Sequence, residues 1–232
     1  MEFEKPDASV DCVLFTLAED GLRVLLVPRD KEPFRGVPTL VGGYVRPGED
    51  RTLDDTVQRV LRDKAGVEGV YLEQLGTFGS ADRDPRGWSI AVAYYALIPN
   101  RVAEEAEARR GVRFESVGVD ALPPLPFDHA LIVAKSLERV RAKATYSTLP
   151  TFLLPERFTI SQYRDVFQLV TGRRIDPGSF HRKFKELEEV RKVVVQDGKL
   201  EGPLNAAGKG TREARAFRFV GGGSPAMVDG LF

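Results

Sequence analysis

Acidic side chains recur through the segment from Gly42 to Val67, and carboxylates at such spacing could hold a divalent cation. The candidates are Glu49, Asp54, Asp55 and Asp63. Mg²⁺ takes hard oxygen ligands in a near-octahedral array, and a carboxylate-bound Mg²⁺ can activate water to cleave a pyrophosphate. A helix that does this chemistry must present several carboxylates on one face. The chemistry therefore depends on which face of the helix carries the acids.

The helix in this segment is predicted to turn an apolar face to a core. Thr52 followed by Asp55 forms a capping-box-like start, and Gly66 stands where a left-handed C-cap is usual. The apolar residues between them recur at i, i+4, i+7 and i+8: Leu53, Val57, Val60 and Leu61. This spacing is that of one buried helix face. Val60 therefore belongs to the core.

Two further positions on the helix argue against an array of metal ligands. Lys64, one turn after Val60, would place an ammonium where a cation held by this helix face should lie. Asp63 is one methylene shorter than Glu and would reach a metal only if the backbone moved closer. Glu49 alone cannot hold a catalytic metal. We therefore predict no catalytic residue, no metal site and no cofactor.

The composition is that of an ordinary globular protein. The chain has 232 residues, of which 42% are hydrophobic and 29% charged, enough for one large or two small domains. No apolar run reaches the length of a membrane span, and the acidic N-terminus lacks the apolar region of a signal peptide. The single cysteine, Cys12, lies in an apolar run and indicates a reducing compartment. We expect a cytoplasmic protein without a membrane partner.

The formal net charge of zero conceals an asymmetry between the two halves of the chain. From Tyr146 to Phe232 there are 14 basic and 10 acidic residues, so the preceding part carries the opposite excess. A basic half beside an acidic half indicates two domains with different partners. The basic excess is modest and supports nucleic acid as a partner only weakly.

The first part of the chain alternates short strands with a few helices. β-branched, leucine-rich or largely apolar runs predict strands at 9–16, 22–28, 39–45, 70–78, 88–98 and 112–117. The first two form a hairpin, and 88–98 is apolar enough to be buried on both faces. A charged helix is predicted over 101–110. Asp128 can cap a further helix over 130–144, beside a packed His129.

The second part has the pattern of a winged helix-turn-helix. Thr159 is an N-cap candidate for a helix over 160–171 that stops at Gly172. After a short connector, Asp176 caps a second helix with Pro177 at its first position. Strands are predicted at 191–196 and 214–220, with a long loop between them that resembles a wing. The tail from Gly221 is expected to be loosely ordered.

With both halves considered, the chain resembles a known family. Gly43 and Glu49 keep the first spacing of a Nudix box, and its far end is kept by Arg59, Leu61, Gly66 and Val67. Other carriers are Pro33-Phe34, Gly42 to Arg46, Leu72 to Gly79, Asp82 to Gly87, Phe127-Asp128-His129, Phe180 and Arg182 to Phe184. Together they resemble the Nudix-related transcriptional regulator family NrtR. Val41 departs from the pattern, because the family commonly has Pro there. The box departs as well: its three helix positions that should be Glu read Val60, Asp63 and Lys64, and the segment from Asp50 to Gln58 is two residues too long.

The resemblance implies a fold, a function and partners. We expect an α+β protein: a Nudix-like mixed-sheet α/β/α sandwich that senses an effector over residues 1–147, followed by a winged helix-turn-helix domain over 148–232. The implied function is a DNA-binding regulator, typically a repressor of NAD-metabolism genes, that responds to ADP-ribose or a related nucleotide. Such regulators are usually homodimers, and two recognition helices one DNA turn apart would read a palindromic operator on double-stranded DNA.

The residues expected to contact DNA lie on and around the second helix of the second part. Its polar residues alternate with Phe180, Phe184 and Leu187, which fall on one apolar face and leave the others exposed. Arginine can read guanine bidentately and lysine suits phosphate. The predicted set is Arg173, Arg174, Ser179, His181, Arg182, Lys183, Lys185, Lys209, Arg212 and Arg215. A solvated basic face is the alternative for one charged helix, and the neighbouring wing favours DNA.

The expected effector site combines arginines with aromatic and acidic residues. Arg83 or Arg86 could pair with a pyrophosphate, because a guanidinium matches phosphate oxygens bidentately. Phe34 and Tyr44 could stack on adenine or belong to the core. The predicted set is Phe34, Tyr44, Arg46, Glu49, Asp82, Arg83 and Arg86. An ordinary polar turn is the alternative for the 82–86 loop, and Arg59 is predicted to pair within the domain.

Two other functions fit parts of the sequence. The chain could be a divergent Nudix hydrolase of ADP-ribose-like substrates, with an accessory C-terminal domain and a metal held by Glu49, Asp63 and Asp54 or Asp55. It could also be a pure interaction module, which would bind neither nucleotide nor DNA. A DNA-binding regulator with an inactive Nudix-like domain is the function that we favour.

Overall fold

A computed structural model describes residues 5–201 and 213–228 of the chain. By its internal contacts the chain divides into two units, Met1–Arg139 and Val140–Phe232. The division falls a few residues before the predicted boundary at 147/148, inside a helix that contributes residues to both units. None of the helices in the described ranges has the length and apolar character needed to cross a membrane.

The first unit is built on a seven-stranded mixed sheet. Its strands are β1 (Asp7–Ala18), β2 (Gly21–Pro28), β3 (Pro38–Thr39), β4 (Val41–Tyr44), β5 (Tyr71–Ser80), β6 (Ser89–Leu97) and β7 (Glu115–Gly118). The main order is β3-β2-β1-β6-β5, with β4 paired to β1 and β7 paired to β2. β1 and β6 are parallel, whereas the other pairs are antiparallel. The predicted hairpin of β1 and β2 and the buried β6 are confirmed.

Helices cover both faces of this sheet. The helices of the first unit are α1 (Leu53–Val60), continued by a π turn (Leu61–Ala65), α2 (Asn100–Arg110) and α3 (His129–Ala144). α1 and α2 pack on the face that carries Val10 and Cys12, where Val57 and Ala106 join the same core. His129 of α3 contacts Thr39 and Asp11, and Asp11 points to the opposite face because side chains alternate along a strand. The expected α/β/α sandwich is confirmed.

The start of α1 follows its sequence signals closely. The Thr52 hydroxyl accepts a hydrogen bond from the backbone N–H of Asp55 (3.1 Å), and the Asp55 carboxylate accepts one from the N–H of Thr52 (2.9 Å). This reciprocal capping box satisfies N–H groups that have no partner within the helix. Gly66 ends the helical segment with φ of 65°, the left-handed C-cap that the sequence predicts.

The second unit contains two helices followed by a two-stranded sheet. A 3₁₀ turn over Leu149–Leu153 precedes α4 (Ile160–Thr171), α5 (Pro177–Lys185), a π turn (Glu186–Val190), β8 (Val194–Glu201) and β9 (Glu213–Phe219). Thr159 and Gln162 form a capping box, and Gly172 ends α4 with φ of 70°. The Asp176 carboxylate accepts from the N–H of Ser179 at 2.8 Å, so the predicted caps of both helices are confirmed.

An aromatic cluster holds the second unit together. The buried ring of Tyr163 on α4 contacts those of Phe180 (5.4 Å between centroids) and Phe184 (6.1 Å) on α5. Phe184 in turn packs edge-on against Phe217 of β9 at 4.8 Å. Edge-to-face pairs at these distances stabilise a core beyond the burial of apolar area. The cluster therefore fixes how α5 lies against α4 and the wing strands.

Three sequence expectations need correction. The strand predicted over 39–45 is two short strands separated by Leu40. The strand predicted from Arg191 begins at Val194, because the preceding π turn carries the chain to Arg191, whose N–H bonds the carbonyl of Glu186. The tail is not loose over 221–228, since Val228 is buried and its N–H donates to the carbonyl of Tyr146 at 2.8 Å.

Candidate functional site

The first unit contains a cavity of about 760 Å³. It is large enough for a nucleotide-sized ligand. Its wall carries eight basic residues, Arg29, Lys31, Arg46, Arg59, Lys64, Arg83, Arg86 and Arg113. Four acidic residues share the wall: Asp11, Asp30, Asp63 and Asp84. A concave site with this excess of positive charge favours an anionic ligand.

Arg59 fastens α1 to the loop that precedes it. Its guanidinium donates to both carboxylate oxygens of Asp50, at 2.7 Å each, and to the carbonyl of Tyr44 at 3.0 Å. The Asp50 carboxylate also accepts from the hydroxyl of Thr56 (3.0 Å) and the N–H of Arg46 (2.8 Å). The hydrogen bonds from Arg59 hold the pKa of Asp50 well below its usual range. Arg59 thus pairs within the domain, as the sequence predicts.

Arg83 lies in a buried network at the back of the cavity. It donates to both oxygens of Asp128 (2.9 and 3.1 Å), to Asp11 (3.3 Å) and to the hydroxyl of Ser89 (3.1 Å). Its side chain is only 6% exposed. Most of its N–H groups therefore have partners inside the protein, which leaves it little capacity to bind a pyrophosphate. The Asp128 carboxylate, expected as a helix cap, binds Arg83.

Arg86 lies within 6 Å of two aromatic rings on the cavity wall. Its guanidinium carbon is 5.7 Å from the ring centroid of Tyr44 and 5.9 Å from that of Phe127. The same guanidinium makes a bidentate ion pair with Asp84, at 2.6 and 2.9 Å, and its side chain is 41% exposed. Arg86, Tyr44 and Phe127 border one part of the cavity wall, here called the slot, which offers ring faces on which a flat heteroaromatic base can stack.

Phe127, which lines the cavity, and Phe34, which packs against it, have an unusual backbone conformation. Both have positive φ, 57° for Phe127 and 70° for Phe34, which is rare and costly for bulky side chains. Their rings meet edge-on at 5.2 Å, and the guanidinium of Arg29 lies 4.9 Å from the Phe127 centroid. Phe34 therefore supports Phe127 from behind and does not line the cavity itself.

His129 is a buried, neutral imidazole. Its Nδ1 accepts from the hydroxyl of Thr39 (2.9 Å) and lies 3.4 Å from the N–H of Leu40, so Nε2 carries the proton and faces Asp11 at 3.7 Å. Burial lowers the pKa of His129, although Asp11 opposes the shift. The packed histidine that the sequence predicts is confirmed, and its ring lies against Phe127 at 5.2 Å.

Of the remaining predicted effector residues, one lines the cavity and two do not. Arg46 lines the cavity and pairs with Glu49 at 3.0 Å, while Glu49 lies outside the wall. Asp82 is exposed and also lies outside it. The structure adds basic and aromatic residues that sequence reasoning missed: Arg29, Lys31, Arg113 and Phe127. They come from loops far apart in sequence, and no local spacing pattern connects them.

The carboxylates proposed as metal ligands are engaged elsewhere. The Asp55 carboxylate accepts from the N–H of Thr52 at the start of α1 (2.9 Å), Asp54 accepts from the hydroxyl of Tyr94 (2.9 Å), and Asp63 pairs with Arg62 (3.3 Å). Across residues 5–201 and 213–228, no group of three or more His, Cys, Asp or Glu side chains is arranged to hold a metal ion. As placed, the carboxylates of Asp54, Asp55 and Asp63 do not form the array of oxygen ligands that Mg²⁺ prefers.

Val60 and Lys64 occupy the helix face nearest to β4. A Cβ built on Gly43 would lie 2.8 Å from Cγ2 of Val60, so the two residues pack in direct contact and only glycine fits. Val60 is buried, and Lys64, one turn later, reaches the cavity wall. Partial desolvation at the cavity wall lowers the pKa of Lys64, whose residue as a whole is exposed, and Arg29 and Lys31 act in the same direction against Asp30 and Asp11.

The second unit presents a basic face on α5. Phe180, Phe184 and Leu187 are buried, as predicted. The outward residues are His181, Arg182 and Lys185, with Ser179 and Lys183 half-buried and Arg173, Arg174 and Arg215 exposed nearby. Arg182 donates to the Ser179 hydroxyl at 3.2 Å, and Lys183 lies 3.6 Å from Glu186. The expected contacts Lys209 and Arg212 lie outside the described residues.

Family models match both units. The model for the NUDIX domain matches residues 5–139. The model for the NrtR DNA-binding winged helix domain matches residues 150–201. The two matches follow one another along the chain in the order that the sequence suggests.

One curated relative extends over nearly the full chain, and another over its first unit. One is named ADPR responsive transcriptional repressor NtrR, from Acinetobacter baylyi; it is 30% identical over 221 residues, covering 94% of this chain and 84% of that protein. Another is an ADP-ribose pyrophosphatase from Methanocaldococcus jannaschii, 31% identical over 129 residues, covering 55% of this chain and 71% of that protein.

A crystal structure of Shewanella oneidensis NrtR in complex with a 27mer DNA is similar to the whole chain. The TM-score is 0.81 at 32% identity, covering 92% of this chain and 93% of that chain. A MutT/nudix family protein from Enterococcus faecalis gives a TM-score of 0.69 at 26% identity, covering 95% and 88%.

Proposed function

The chain belongs to the NrtR family of Nudix-related transcriptional regulators, and we propose that it is a DNA-binding repressor whose Nudix-like unit senses ADP-ribose or a related nucleotide. The observation that carries this function is that one chain contains both a nucleotide-sized cavity with a basic wall and a winged helix-turn-helix with a basic exposed face. NAD-metabolism genes are the expected targets, and the cytoplasm, where such DNA lies, is the expected compartment.

The DNA-binding surface is assigned to the outward face of α5. The aromatic cluster fixes α5 by its inner face, so His181, Arg182 and Lys185 project from a rigid support. An arginine on such a helix can read a guanine edge in the major groove, while lysines neutralise phosphates. Arg173 and Arg174 in the turn and Arg215 on β9 would add backbone contacts. We expect a homodimer and a palindromic operator, because paired recognition helices read paired half-sites.

The effector site is assigned to the cavity of the first unit. The slot between Tyr44 and Phe127 would take the adenine base, with Arg86 moving aside or stacking on it. Arg46, which is exposed on the cavity wall, would contact a phosphate or ribose group. Arg83 would act by holding Asp11 and Asp128 in place, and would not contact the ligand.

Regulation follows if the nucleotide binds two states of the protein unequally. A ligand shifts an equilibrium only by its difference in affinity for the two states. Because linkage is reciprocal, operator DNA must change the affinity for the nucleotide by the same factor as the nucleotide changes the affinity for DNA. Measuring both factors gives an internal test of the proposed coupling.

The direct test is a mobility-shift experiment on the promoter of the protein's own operon, with and without ADP-ribose. We expect a shifted complex at low salt and a change in its amount when ADP-ribose is added. Absence of a shift at low salt, with no retention of any genomic fragment, would contradict the function. AMP, NAD and ribose 5-phosphate serve as nucleotide controls.

A hydrolase is the competing function, and the ADP-ribose pyrophosphatase relative makes it worth testing. We propose that the chain does not turn ADP-ribose over, because Asp55 is engaged in a helix cap, Asp54 in a hydrogen bond with Tyr94 and Asp63 in an ion pair with Arg62. Incubation with ADP-ribose and Mg²⁺ or Mn²⁺ should release no AMP. Release that disappears in Glu49→Gln would support the hydrolase.

A further inference from the structure

Lys64 stands where a Nudix-type site would hold a divalent cation, and we propose that its ammonium replaces that cation, so that the cavity binds a nucleotide pyrophosphate without any metal ion. The inference rests on the proposed nucleotide-sensing function and deepens it. It concerns one residue and one feature of binding, the independence from Mg²⁺.

The position of Lys64 is fixed by the helix before it. Val60 packs against Gly43 of β4, and residues four apart lie on the same helix face. Lys64 follows one turn later on the π turn and reaches the cavity wall. In a Nudix box both positions would carry glutamates. Here the first glutamate is replaced by a core residue and the second by a positive charge.

The positive charges around Lys64 favour the binding of an anion. Arg29 and Lys31 line the same cavity wall and repel its ammonium, while Asp30 and Asp11 oppose this repulsion. Asp11 is already within 3.3 Å of Arg83 and 3.7 Å of His129. Like charges that converge on a cavity wall are stabilised when a multiply charged anion lies between them. A pyrophosphate has the charge and size for this role.

An ammonium can take over what the metal does in binding. It is a compact positive charge with three donors, which makes it a suitable partner for phosphate oxygens. It neutralises charge, as Mg²⁺ would, but it cannot lower the pKa of a bound water to that of a hydroxide nucleophile. A site built on Lys64 would therefore bind the pyrophosphate and leave it intact, which suits a sensor.

The experiment is calorimetric titration of the full chain with ADP-ribose, once in EDTA and once in Mg²⁺. The wild type should bind equally well in both, and inorganic pyrophosphate should compete in EDTA. Lys64→Met should weaken binding by about tenfold or more, the loss typical of one charged hydrogen bond. Lys64→Glu should abolish binding in EDTA and recover part of it in Mg²⁺, because it restores an acidic ligand.

Lys135→Met is the matched control. Lys135 lies on the exposed side of α3 and pairs with Glu138, outside the cavity, so this variant should bind like the wild type. DNA binding without nucleotide and the unfolding midpoint of each variant report whether it is folded.

Two results would overturn the inference alone: wild-type binding that requires Mg²⁺, or Lys64→Met binding ADP-ribose like the wild type in EDTA. Failure of the wild type to bind ADP-ribose in either buffer would overturn the proposed effector together with it.

Discussion

Arg59 and Asp50 form a bidentate salt bridge, with Nε and Nη2 of the arginine each 2.7 Å from a carboxylate oxygen. Both side chains are nearly buried, 10% and 2% exposed. The pair joins α1 to the loop before it, and Arg59 also bonds the carbonyl of Tyr44, whose ring borders the cavity. The position of the Tyr44 ring therefore depends on the Arg59–Asp50 ion pair, through the hydrogen bond of Arg59 to the Tyr44 carbonyl.

Replacing Asp50 with Asn should destabilise the first unit in a manner that depends on pH. The folded-state pKa of Asp50 is lowered, so its contribution is fully present above the pKa of a free aspartate, about 3.9, and is lost as the pH falls through the folded value. Urea unfolding should show a lower free energy of unfolding for the variant at pH 7. The difference should shrink below about pH 4.

Asp63→Asn is the control for this measurement, because Asp63 pairs with Arg62 at an exposed site. An exposed pair contributes about 0–1 kcal/mol, so the control should stay close to the wild type at every pH. A difference between Asp50→Asn and the wild type that persists unchanged into acid would show that the charge of Asp50 is not what stabilises the loop.

Arg83→Met should cost far more stability than Arg86→Met, although the two arginines lie three residues apart. Arg83 compensates the charges of Asp11 and Asp128, and its removal leaves two nearly buried carboxylates without their partner. Breaking a buried pair costs about 3–5 kcal/mol, whereas the half-exposed Arg86 should contribute about 1 kcal/mol or less. Urea unfolding of the two variants checks this ranking, and equal losses would contradict it.

The local elements of this protein could be predicted from sequence to a greater extent than its site. Thr52, Thr159 and Asp176 cap helices where their sequence neighbours indicate, because a cap is decided by residues three positions apart. Gly66 and Gly172 end helices for a similarly local reason. The same local logic placed the strands to within a few residues.

The cavity could be predicted only in part, because its wall is assembled from distant segments. Tyr44, Arg46, Arg83 and Arg86 belong to the set expected from the family resemblance, and all four line it. The sequence analysis did not predict Phe127 as a wall residue. Its role depends on a left-handed backbone conformation and on a contact with Phe34, and no spacing pattern predicts either. The buried partners of Arg83 were missed for the same reason.

Tyr44→Ala should weaken ADP-ribose binding while leaving the fold intact. The ring is 45% exposed, so its loss makes no core cavity, whereas base stacking contributes about 1–3 kcal/mol, or roughly tenfold in affinity. Calorimetry with ADP-ribose and with inorganic pyrophosphate separates the two halves of the ligand, and only ADP-ribose binding should change. Trp88→Ala, at another exposed aromatic, is the control. Equal weakening for pyrophosphate would argue against a base slot.

Phe184→Ala should unfold or nearly unfold the second unit. Its buried ring contacts both Tyr163 and Phe217, so the substitution opens a cavity between α4, α5 and β9. Truncation of a buried phenylalanine costs about 3–5 kcal/mol, a large share of the stability of a small domain. Thermal unfolding followed by circular dichroism should show the loss, and Val190→Ala, at a site 72% exposed, should not.

Substitutions on α5 should separate sequence reading from phosphate binding. Lys185→Ala removes an exposed charge, and if it contacts a phosphate in each half-site of a palindrome, the slope of log K against log salt should fall by about two. Arg182→Ala should instead weaken binding to the operator more than binding to random DNA, by about 1–3 kcal/mol for each lost base contact. Fluorescence anisotropy across a salt series measures both.

Arg101→Ala, on the charged α2 of the first unit, should change neither quantity, because Arg101 is already paired with Glu105 and lies outside the α5 face. A slope change near one for Lys185→Ala would mean that one helix, not two, contacts the duplex.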